Sequence, residues 1–257
     1  MNYKDTNYYN SEKYVEFKKD ILENIDEHIN VFYKYKIVNS KVYMAKILSE
    51  NNYLSKIVKS LHDMKTLGRG FSYKREERRG IEDLQLIEKI HSNRREEIVC
   101  KLLATINREQ FIDYQVPLKP SGKAEDKGYG KIDLLLKEGN DVRLIELKKF
   151  DSDENIARAM IEICTYYKQL NIDYFKKEYG IMGNIIPTIA VSEKMLKLFE
   201  QYGGIYKKLY VELKKEFGLE ILKYTYNDQV GLQVDKQNMM TLDKNISVFP
   251  FEPYEVN

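Results

Sequence analysis

The stretch that decides the fold runs from Lys131 to Lys149 and reads KIDLLLKEGNDVRLIELKK. Two short runs rich in apolar residues are typical of β-strands, and the EGND segment between them is typical of a tight turn. The sequence therefore predicts a β-hairpin. Because side chains alternate along a strand, Glu146 and Lys148 would lie on one face, about 7 Å apart. Pairing across the turn would bring Asp133 close to Glu146.

The tetrapeptide ELKK occurs twice, at residues 146–149 and again at 212–215. Around the second copy, an apolar residue recurs at every fourth position from 205 to 217, which is typical of one stripe of a helix. Gly218 is well suited to end that helix. The charged residues of the second copy fall off the apolar stripe, so we expect them to face water: Glu212, Lys214 and Lys215. Only the first copy is predicted to lie on a strand.

The charged residues of the predicted hairpin suggest chemistry. Asp133 and Glu146 would repel each other on one sheet face, and a divalent cation usually relieves such repulsion. Mg²⁺ prefers oxygen ligands and retains several waters. Lys148 beside that metal would hold the attacking water or stabilise charge on a phosphate. The three residues fit metal-assisted phosphodiester hydrolysis, although the strands alone are equally compatible with a cross-strand ion pair on a half-exposed sheet.

The order of patterns along the chain predicts the fold class. From residue 95 onward the patterns predict a helix, three strands, a helix, a strand, two helices and a strand. This order is typical of an α/β fold in which helices cover a hairpin-built sheet. One helix is predicted over residues 152–175, and the strand over 184–192 carries Pro187, which favours an edge or bulge position. We expect the tail, residues 240–257, to be irregular.

Two regions are predicted, a helical region over residues 1–90 and an α/β domain over 91–257. Apolar residues at helical spacing support the first. The segment LGRGFSYKREERRG, residues 67–80, mixes glycines with charges and predicts a linker or an exposed loop. We expect the helical region to contribute substrate selection or homodimerisation.

Composition, cysteine spacing and the lengths of apolar runs argue against a zinc-binding, secreted or membrane-spanning protein. The 257 residues are 43% hydrophobic and carry a formal net charge of only +2, so nucleic-acid binding would depend on local basic patches. Cys100 and Cys164 lack the spacing of zinc ligands, and we expect both to be buried small apolar residues. No signal-peptide pattern is present, and no apolar run approaches the ~20 residues that span a bilayer. We therefore expect a cytoplasmic protein that has no membrane partner.

The run GYGKIDLLLKEGNDVRLIELKK, residues 128–149, resembles the signature of the PD-(D/E)XK nuclease superfamily. Asp133 takes the place of its aspartate, within ID rather than PD. Glu146, Leu147 and Lys148 match its (D/E)xK element. The resemblance extends over about residues 93 to 191 through the predicted order of helices and strands.

This resemblance implies a restriction-endonuclease-like core of a helix, a three-strand meander, a helix and a strand. It implies a nuclease that depends on Mg²⁺ (or Mn²⁺) and acts on DNA. Asp133 and Glu146 would bind the metal together with the Leu147 carbonyl, and Lys148 would act on the water or the scissile phosphate. Two alternatives stay open: a catalytically inactive nucleic-acid-binding or protein-interaction module on the same fold, and a purely structural network of ion pairs.

Members of the superfamily often carry a glutamate on the helix before the first core strand. Glu88, Glu96 and Glu97 are the candidates here. The apolar residues between 98 and 106 define the buried face of this helix, with Glu96 at its edge and Glu97 nearly opposite. We therefore prefer Glu96 as the catalytic glutamate, with a solvated helix charge as the alternative.

Some members also carry a Gln-x-x-x-Tyr pattern on the helix that follows the Glu-x-Lys strand. Glu162 and Tyr166 occupy the corresponding positions, with glutamate in place of glutamine, and Arg158 lies one turn earlier on the same face. These residues would position a metal ligand, Lys148 or a phosphate. The alternative is an ion pair on the helix surface beside a packed tyrosine.

A basic loop, PLKPSGKAEDKGYGK, lies just before Asp133 and is well placed to contact a phosphate backbone. Acidic residues are interleaved with its lysines. The candidates for nucleic-acid contact are Lys119, Lys123, Lys127, Lys131 and Arg158.

Overall fold

The computed structural model describes residues 12–24, 53–74, 96–97, 100, 103–104, 109–121, 129–148, 156–201, 204–224, 232–234, 240–242 and 251–256. Its helices are α1 (Glu12–Glu23), α2 (Leu54–Asp63), α3 (Ile156–Gln169), α4 (Ile172–Tyr179), α5 (Glu193–Gln201) and α6 (Gly204–Phe217). Its strands are β1 (Phe111–Pro117), β2 (Lys131–Glu138), β3 (Asp141–Leu147), β4 (Ile185–Ser192), β5 (Glu220–Tyr224), β6 (Leu232–Val234), β7 (Met240–Leu242) and β8 (Phe251–Pro253). Residues 96, 97, 100, 103 and 104 are also helical.

Six strands form one open mixed sheet in the order β1-β2-β3-β4-β5-β8. The first three pair antiparallel, β4 and β5 join in parallel, and β8 pairs antiparallel with β5. Crossovers through α3 and α4, and then through α5 and α6, connect the parallel strands. The predicted α/β class is therefore confirmed.

The β2–β3 hairpin forms as the two apolar runs and the EGND turn between them predicted. Gly139 in its turn has a φ of 61°, a left-handed conformation that glycine adopts without strain. The paired residues run from Glu138↔Asp141 to Leu134↔Ile145. This register brings Asp133 level with Glu146, just beyond the last pair.

Helices cover both faces of the sheet. On one face α3 packs across β3 and β4, and α2 and α6 pack against α3. Buried members of this cluster include Ile57, Leu144, Met160, Cys164 and Leu213. On the other face, the helical residues near position 100 pack against the strands, and members of that cluster include Cys100, Leu103, Leu134, Ile145 and Leu147. Both cysteines are free and buried, as expected.

The helix predicted over residues 152–175 is two helices in the described part. The Asn171 side chain accepts a hydrogen bond from the Tyr174 backbone N–H at 3.1 Å and caps the start of α4. An asparagine that bonds to nearby backbone favours a helix end over a helix interior. This cap explains why the first helix ends here although the apolar pattern continues.

Two further predictions for strands need correction. Pro187 lies on β4, which is an interior strand and not an edge. It is tolerated there because β4 pairs with β5 only from Thr188 onward, so the missing N–H falls outside that ladder. The tail is not irregular throughout, since residues 240–242 and 251–253 are strands and β8 extends the main sheet.

The described part of the N-terminal region contacts the α/β core. Ile57 and Leu61 of α2 are fully buried within the cluster beneath α3. The predicted linker or exposed loop, residues 67–80, is described only over residues 67–74. That part has no helix or strand, as predicted, but Tyr73 within it is buried rather than exposed. The boundary near residue 90 stays a prediction. Within the described ranges no helix has the length and apolar character needed to cross a membrane.

Candidate active site

Glu146 and Lys148 lie on the face of β3 that is turned toward α3. Lys148 Nζ donates to Glu146 Oε1 at 2.7 Å, and both side chains are buried. Leu144, two residues earlier, belongs to the apolar cluster under α3, whereas Leu147 belongs to the cluster on the other face. The alternation predicted for this stretch is therefore confirmed. A buried carboxylate and ammonium now stand together at the end of a central strand.

Asp133 joins this site from β2. Its Oδ2 accepts a hydrogen bond from the Leu147 backbone N–H at 3.0 Å. Because the N–H and C=O of one strand residue point to the same side of the strand, the Leu147 carbonyl is also directed to the Asp133 side. The carboxylates of Asp133 and Glu146 and this carbonyl therefore converge at the end of the hairpin.

Helix α3 supplies a third carboxylate. Glu162 Oε1 accepts from the Tyr166 hydroxyl at 2.8 Å. Glu162 Oε2 lies 3.5 Å from Lys148 Nζ and 3.6 Å from Arg158 Nη2, one helical turn away. Glu162 and Tyr166 are buried rather than on the helix surface. Two carboxylates, Glu146 and Glu162, thus hold Lys148 between them.

Burial shifts the acid–base behaviour of the cluster. Desolvation raises the pKa of Asp133 from an ordinary value of 3.8 to about 7, against the lowering effect of the Lys148 charge and the Leu147 hydrogen bond. Desolvation also raises the pKa of Glu146 well above its usual range, and the charges on Asp133 and Glu162 raise it further. Each carboxylate is therefore harder to ionise than in water, and a nearby divalent cation would favour the ionised forms.

Of the three helix glutamates considered, Glu96 lies near enough to Asp133 for its charge to contribute, as the smallest of several causes, to the raised pKa of that carboxyl. Glu97 is also helical, and Glu88 lies outside the described residues. The preference for Glu96 and its catalytic role stay predictions.

The basic residues are distributed unevenly around the site. Lys131 is exposed at the start of β2, and Lys119 is partly buried, with its backbone carbonyl accepting from Arg69. Arg158 faces Glu162 within the buried cluster and has 15% of its side chain exposed. Lys123 and Lys127 lie outside the described residues.

The second ELKK copy lies on the solvent-exposed face of a helix, as predicted. Leu209, Leu213 and Phe217 of α6 are buried, and Gly218 ends the helix with a φ of 70°. The charged residues of the copy are all exposed: Glu212, Lys214 and Lys215.

Gln115 was not identified from the sequence. It stands on β1 across from Asp133, between the pairs Tyr114↔Leu134 and Val116↔Ile132. Its Nε2 donates to Asp133 Oδ1 at 2.7 Å, and the side chain is buried. The available signal was a lone amide within the otherwise apolar run YQVPL.

Two other contacts that support the site were also not predicted from the sequence. The Tyr224 hydroxyl of β5 donates to the Lys148 backbone carbonyl. Gly130 lies so close to the Tyr166 ring that a Cβ at this position would overlap it. Neither contact has a local sequence signal, since each joins elements distant along the chain.

The oxygen donors at this site are the carboxylates of Asp133 and Glu146 and the Leu147 carbonyl. They fit a hard cation such as Mg²⁺, which takes carboxylate and carbonyl oxygens and water. Glu162 Oε2 is buried and accepts no hydrogen bond within the described residues. The carboxyl groups of Asp133, Glu146 and Glu162 outnumber the cations Lys148 and Arg158 near them, so when all three are ionised they leave a net negative charge that a bound cation would offset.

No group of three or more His, Cys, Asp or Glu side chains in the described ranges is arranged to hold a metal ion. The metal ligands predicted for this protein differ from such a group, because only two of them are acidic side chains. It combines the two acidic side chains of Asp133 and Glu146 with the Leu147 carbonyl, and water completes the shell around Mg²⁺.

A scan of the chain against protein-family models found no match, and searches of curated proteins and of solved structures found none either.

Proposed function

We propose that this protein is a metal-dependent nuclease of the PD-(D/E)XK type that hydrolyses phosphodiester bonds, with DNA as the substrate. One observation carries the proposal: the Asp133 carboxylate reaches the Leu147 N–H at 3.0 Å while Lys148 Nζ contacts Glu146 at 2.7 Å. One strand end therefore brings together two carboxylates, a backbone carbonyl and an ammonium group. These are the groups that such hydrolysis needs.

The arrangement of elements supports a restriction-endonuclease-like core. Helical residues near position 100 precede the antiparallel β1–β2–β3 meander, and α3 leads from β3 to the parallel strand β4. The proposed catalytic residues lie near the start of β2 and at the end of β3. Glu162 joins them from α3, and Glu96 of the preceding helical segment is a further candidate.

Asp133 and Glu146, with the Leu147 carbonyl, would hold Mg²⁺ or Mn²⁺. A metal ion bound there would stabilise charge on a phosphoryl oxygen and lower the pKa of a bound water. Tyr166 and Arg158 fix Glu162, and Glu162 helps to keep the Lys148 ammonium beside Glu146.

Lys148 would act directly on the reacting groups. Its ammonium is held by two carboxylates, and its backbone carbonyl is held by the Tyr224 hydroxyl. An ammonium group fixed in this way would donate to the attacking water or to a non-bridging oxygen of the scissile phosphate. Donors that are preorganised toward developing charge stabilise the transition state more than mobile ones do.

A DNA backbone would approach the end of β3 past basic residues. Lys131 is exposed at the start of β2, two positions before Asp133. Contacts to phosphates by such residues position the duplex without reading its sequence. We propose the same role for Lys119, Lys123 and Lys127 of the preceding loop. Arg158, also a candidate from the sequence, is largely buried against Glu162 and is better placed to hold that carboxylate than to contact DNA.

A second candidate function is a non-catalytic binding module with the same fold. The observation that favours it is the engagement of Lys148 by Glu146 and by Glu162, since a structural ion-pair network would have the same contacts. Such a module would bind nucleic acid or protein without consuming it.

A cleavage panel separates the two candidates. Supercoiled plasmid, single-stranded DNA and RNA would each be incubated with the full chain and Mg²⁺ or Mn²⁺, with and without EDTA. The nuclease proposal predicts cleavage that EDTA abolishes and that Asp133→Ala lacks, whereas Glu212→Gln, a carboxylate change on the exposed face of α6, cleaves normally. Binding without cleavage would favour the module, and full activity of Asp133→Ala would contradict the assigned site.

A further inference from the structure

Gln115 has a backbone conformation that residues with side chains rarely adopt. Its φ is 49°, and among the described residues the other positive φ values belong to glycines. Strain of this kind costs about 1–3 kcal/mol and persists where the surrounding structure requires it. Glycine would adopt the same φ without strain. What glutamine adds at this position is its side-chain amide.

The surrounding strand holds Gln115 against Asp133. Pairing with β2 continues on both sides of it, and a register shift between Phe111 and Asp113 precedes it. The Gln115 side chain is buried, and its Nε2 lies 2.7 Å from Asp133 Oδ1. The unusual backbone therefore presents one amide donor to one carboxylate.

Asp133 is fixed from both neighbouring strands. Gln115 on β1 donates to Oδ1, and the Leu147 N–H on β3 donates to Oδ2 at 3.0 Å. Both donors are uncharged, and together they engage both oxygens of the carboxylate. An ionised carboxylate has about four lone-pair positions, so these two bonds leave oxygen positions for a metal.

We propose that Gln115 is a positioning residue that orients the Asp133 carboxylate for metal binding, an inference that rests on the proposed metal-dependent function. It would act through Asp133 and would touch neither substrate nor metal. Hydrogen-bond partners of a ligating side chain set its orientation, and their removal typically weakens metal affinity or activity about 10–100-fold.

Gln115→Gly tests this role because it separates the amide from the backbone. Glycine relieves the φ strain while the variant loses one hydrogen bond, so thermal stability should stay close to that of the wild type. Mn²⁺ alone would be titrated calorimetrically into the full chain. We expect the Kd for Mn²⁺ to rise about 10–100-fold in Gln115→Gly. Gln169→Ala, at a buried glutamine of α3 outside the site, should keep the wild-type Kd.

A cleavage readout complements the titration. The Mg²⁺ concentration for half-maximal rate should rise in Gln115→Gly, while the rate at saturating Mg²⁺ stays within a few-fold of the wild type. An unchanged Mn²⁺ Kd and Mg²⁺ dependence in a folded Gln115→Gly, with binding lost in Asp133→Asn, would overturn the role of Gln115 alone. Absence of Mn²⁺ binding to the wild type, or unchanged binding in Asp133→Asn, would overturn the metal site and this role together.

Discussion

Lys148 Nζ lies 2.7 Å from Glu146 Oε1, and the two side chains are only 6% and 7% exposed. Taking both charges out of water is unfavourable, and their attraction repays that desolvation only when the geometry is good and other groups assist. Glu162, with its Oε2 3.5 Å from Lys148 Nζ, provides that assistance, and the Tyr224 hydroxyl holds the backbone of Lys148 through its carbonyl. A buried pair held this way is weak evidence for stability, so its energetic contribution has to be measured.

Removing one member of the pair should destabilise the fold more than removing both. Lys148→Ala leaves Glu146 and Glu162 buried without their shared cation, and we expect a loss of about 3–5 kcal/mol. The double variant Glu146→Leu with Lys148→Met should recover at least half of that loss, because both desolvated charges disappear. Urea unfolding of both proteins checks this, and a double variant less stable than Lys148→Ala would contradict it.

The metal-free protein should lose stability as the pH rises from about 4 to about 7. The pKa of Asp133 is about 7 in the fold against an ordinary 3.8, so the folded state binds more protons than the unfolded state between these values. The pKa of Glu146 is raised in the same direction. Since Asp133 is partly exposed, we expect an effect on the order of 2 kcal/mol. Chemical unfolding at pH 5 and pH 8 measures it.

Two variants and one ion provide the controls for this pH dependence. Asp133→Asn should flatten it, and Glu212→Gln should leave it unchanged because Glu212 is exposed on α6. Saturating Mg²⁺ should restore stability at pH 8, because a bound cation favours the ionised carboxylates. A wild-type protein that is more stable at pH 8 than at pH 5 without metal, by an amount that Asp133→Asn removes, would reverse the assigned sign.

Gly130→Ala should destabilise the protein through the Tyr166 ring. The added methyl would overlap that ring and force it away from Glu162, with which the tyrosine hydroxyl now bonds at 2.8 Å. We expect a loss of about 1–3 kcal/mol, as for overpacking of a well-packed core. Gly68→Ala is the matched control, since a Cβ added at Gly68 would meet no atom within 4 Å. Equal melting temperatures for the two variants would refute the close contact.

Tyr224→Phe should reduce the rate of cleavage without abolishing it. The change removes the donor to the Lys148 carbonyl and leaves that buried carbonyl one hydrogen bond short, which costs about 1–3 kcal/mol of stability. Asp133, Glu146 and Lys148 themselves remain. We expect a lower kcat with a nearly unchanged metal dependence, measured by single-turnover cleavage. A kcat equal to that of the wild type would show that this contact does not position Lys148.

The local parts of the fold could be predicted because they depend on short periodic patterns. Alternation identified β1 and β3, a short apolar run identified β2, and four-residue spacing identified α6 and its end at Gly218. The same alternation placed Glu146 and Lys148 on one face. The break before α4 was missed because Asn171 interrupts the helix through its side chain while the apolar spacing continues.

Long-range relationships were harder to predict for a physical reason. The pairing of β8 with β5, and the contact of Tyr224 with Lys148, depend on which distant segments meet. A short strand such as Phe251–Pro253 has too few residues for a clear period. The positive φ of Gln115 within β1 could not be predicted either, because glutamine rarely adopts this conformation by its own preference.

The two ELKK copies provide the most direct test of the central claim that the β3 copy forms a phosphodiester-cleaving site. Lys148→Met and Lys214→Met make the same change in the same tetrapeptide, once in the buried cluster and once on the exposed face of α6. Mg²⁺-dependent plasmid cleavage would be measured for both after circular dichroism establishes folding, with Asp133→Asn as a second site variant.

We expect Lys148→Met and Asp133→Asn to cleave at least about 100-fold more slowly than the wild type, as when a group that stabilises the transition state is removed. Lys214→Met should cleave at the wild-type rate. Wild-type cleavage by folded Lys148→Met and Asp133→Asn, or no metal-dependent cleavage by the wild type on any nucleic acid, would contradict the central claim.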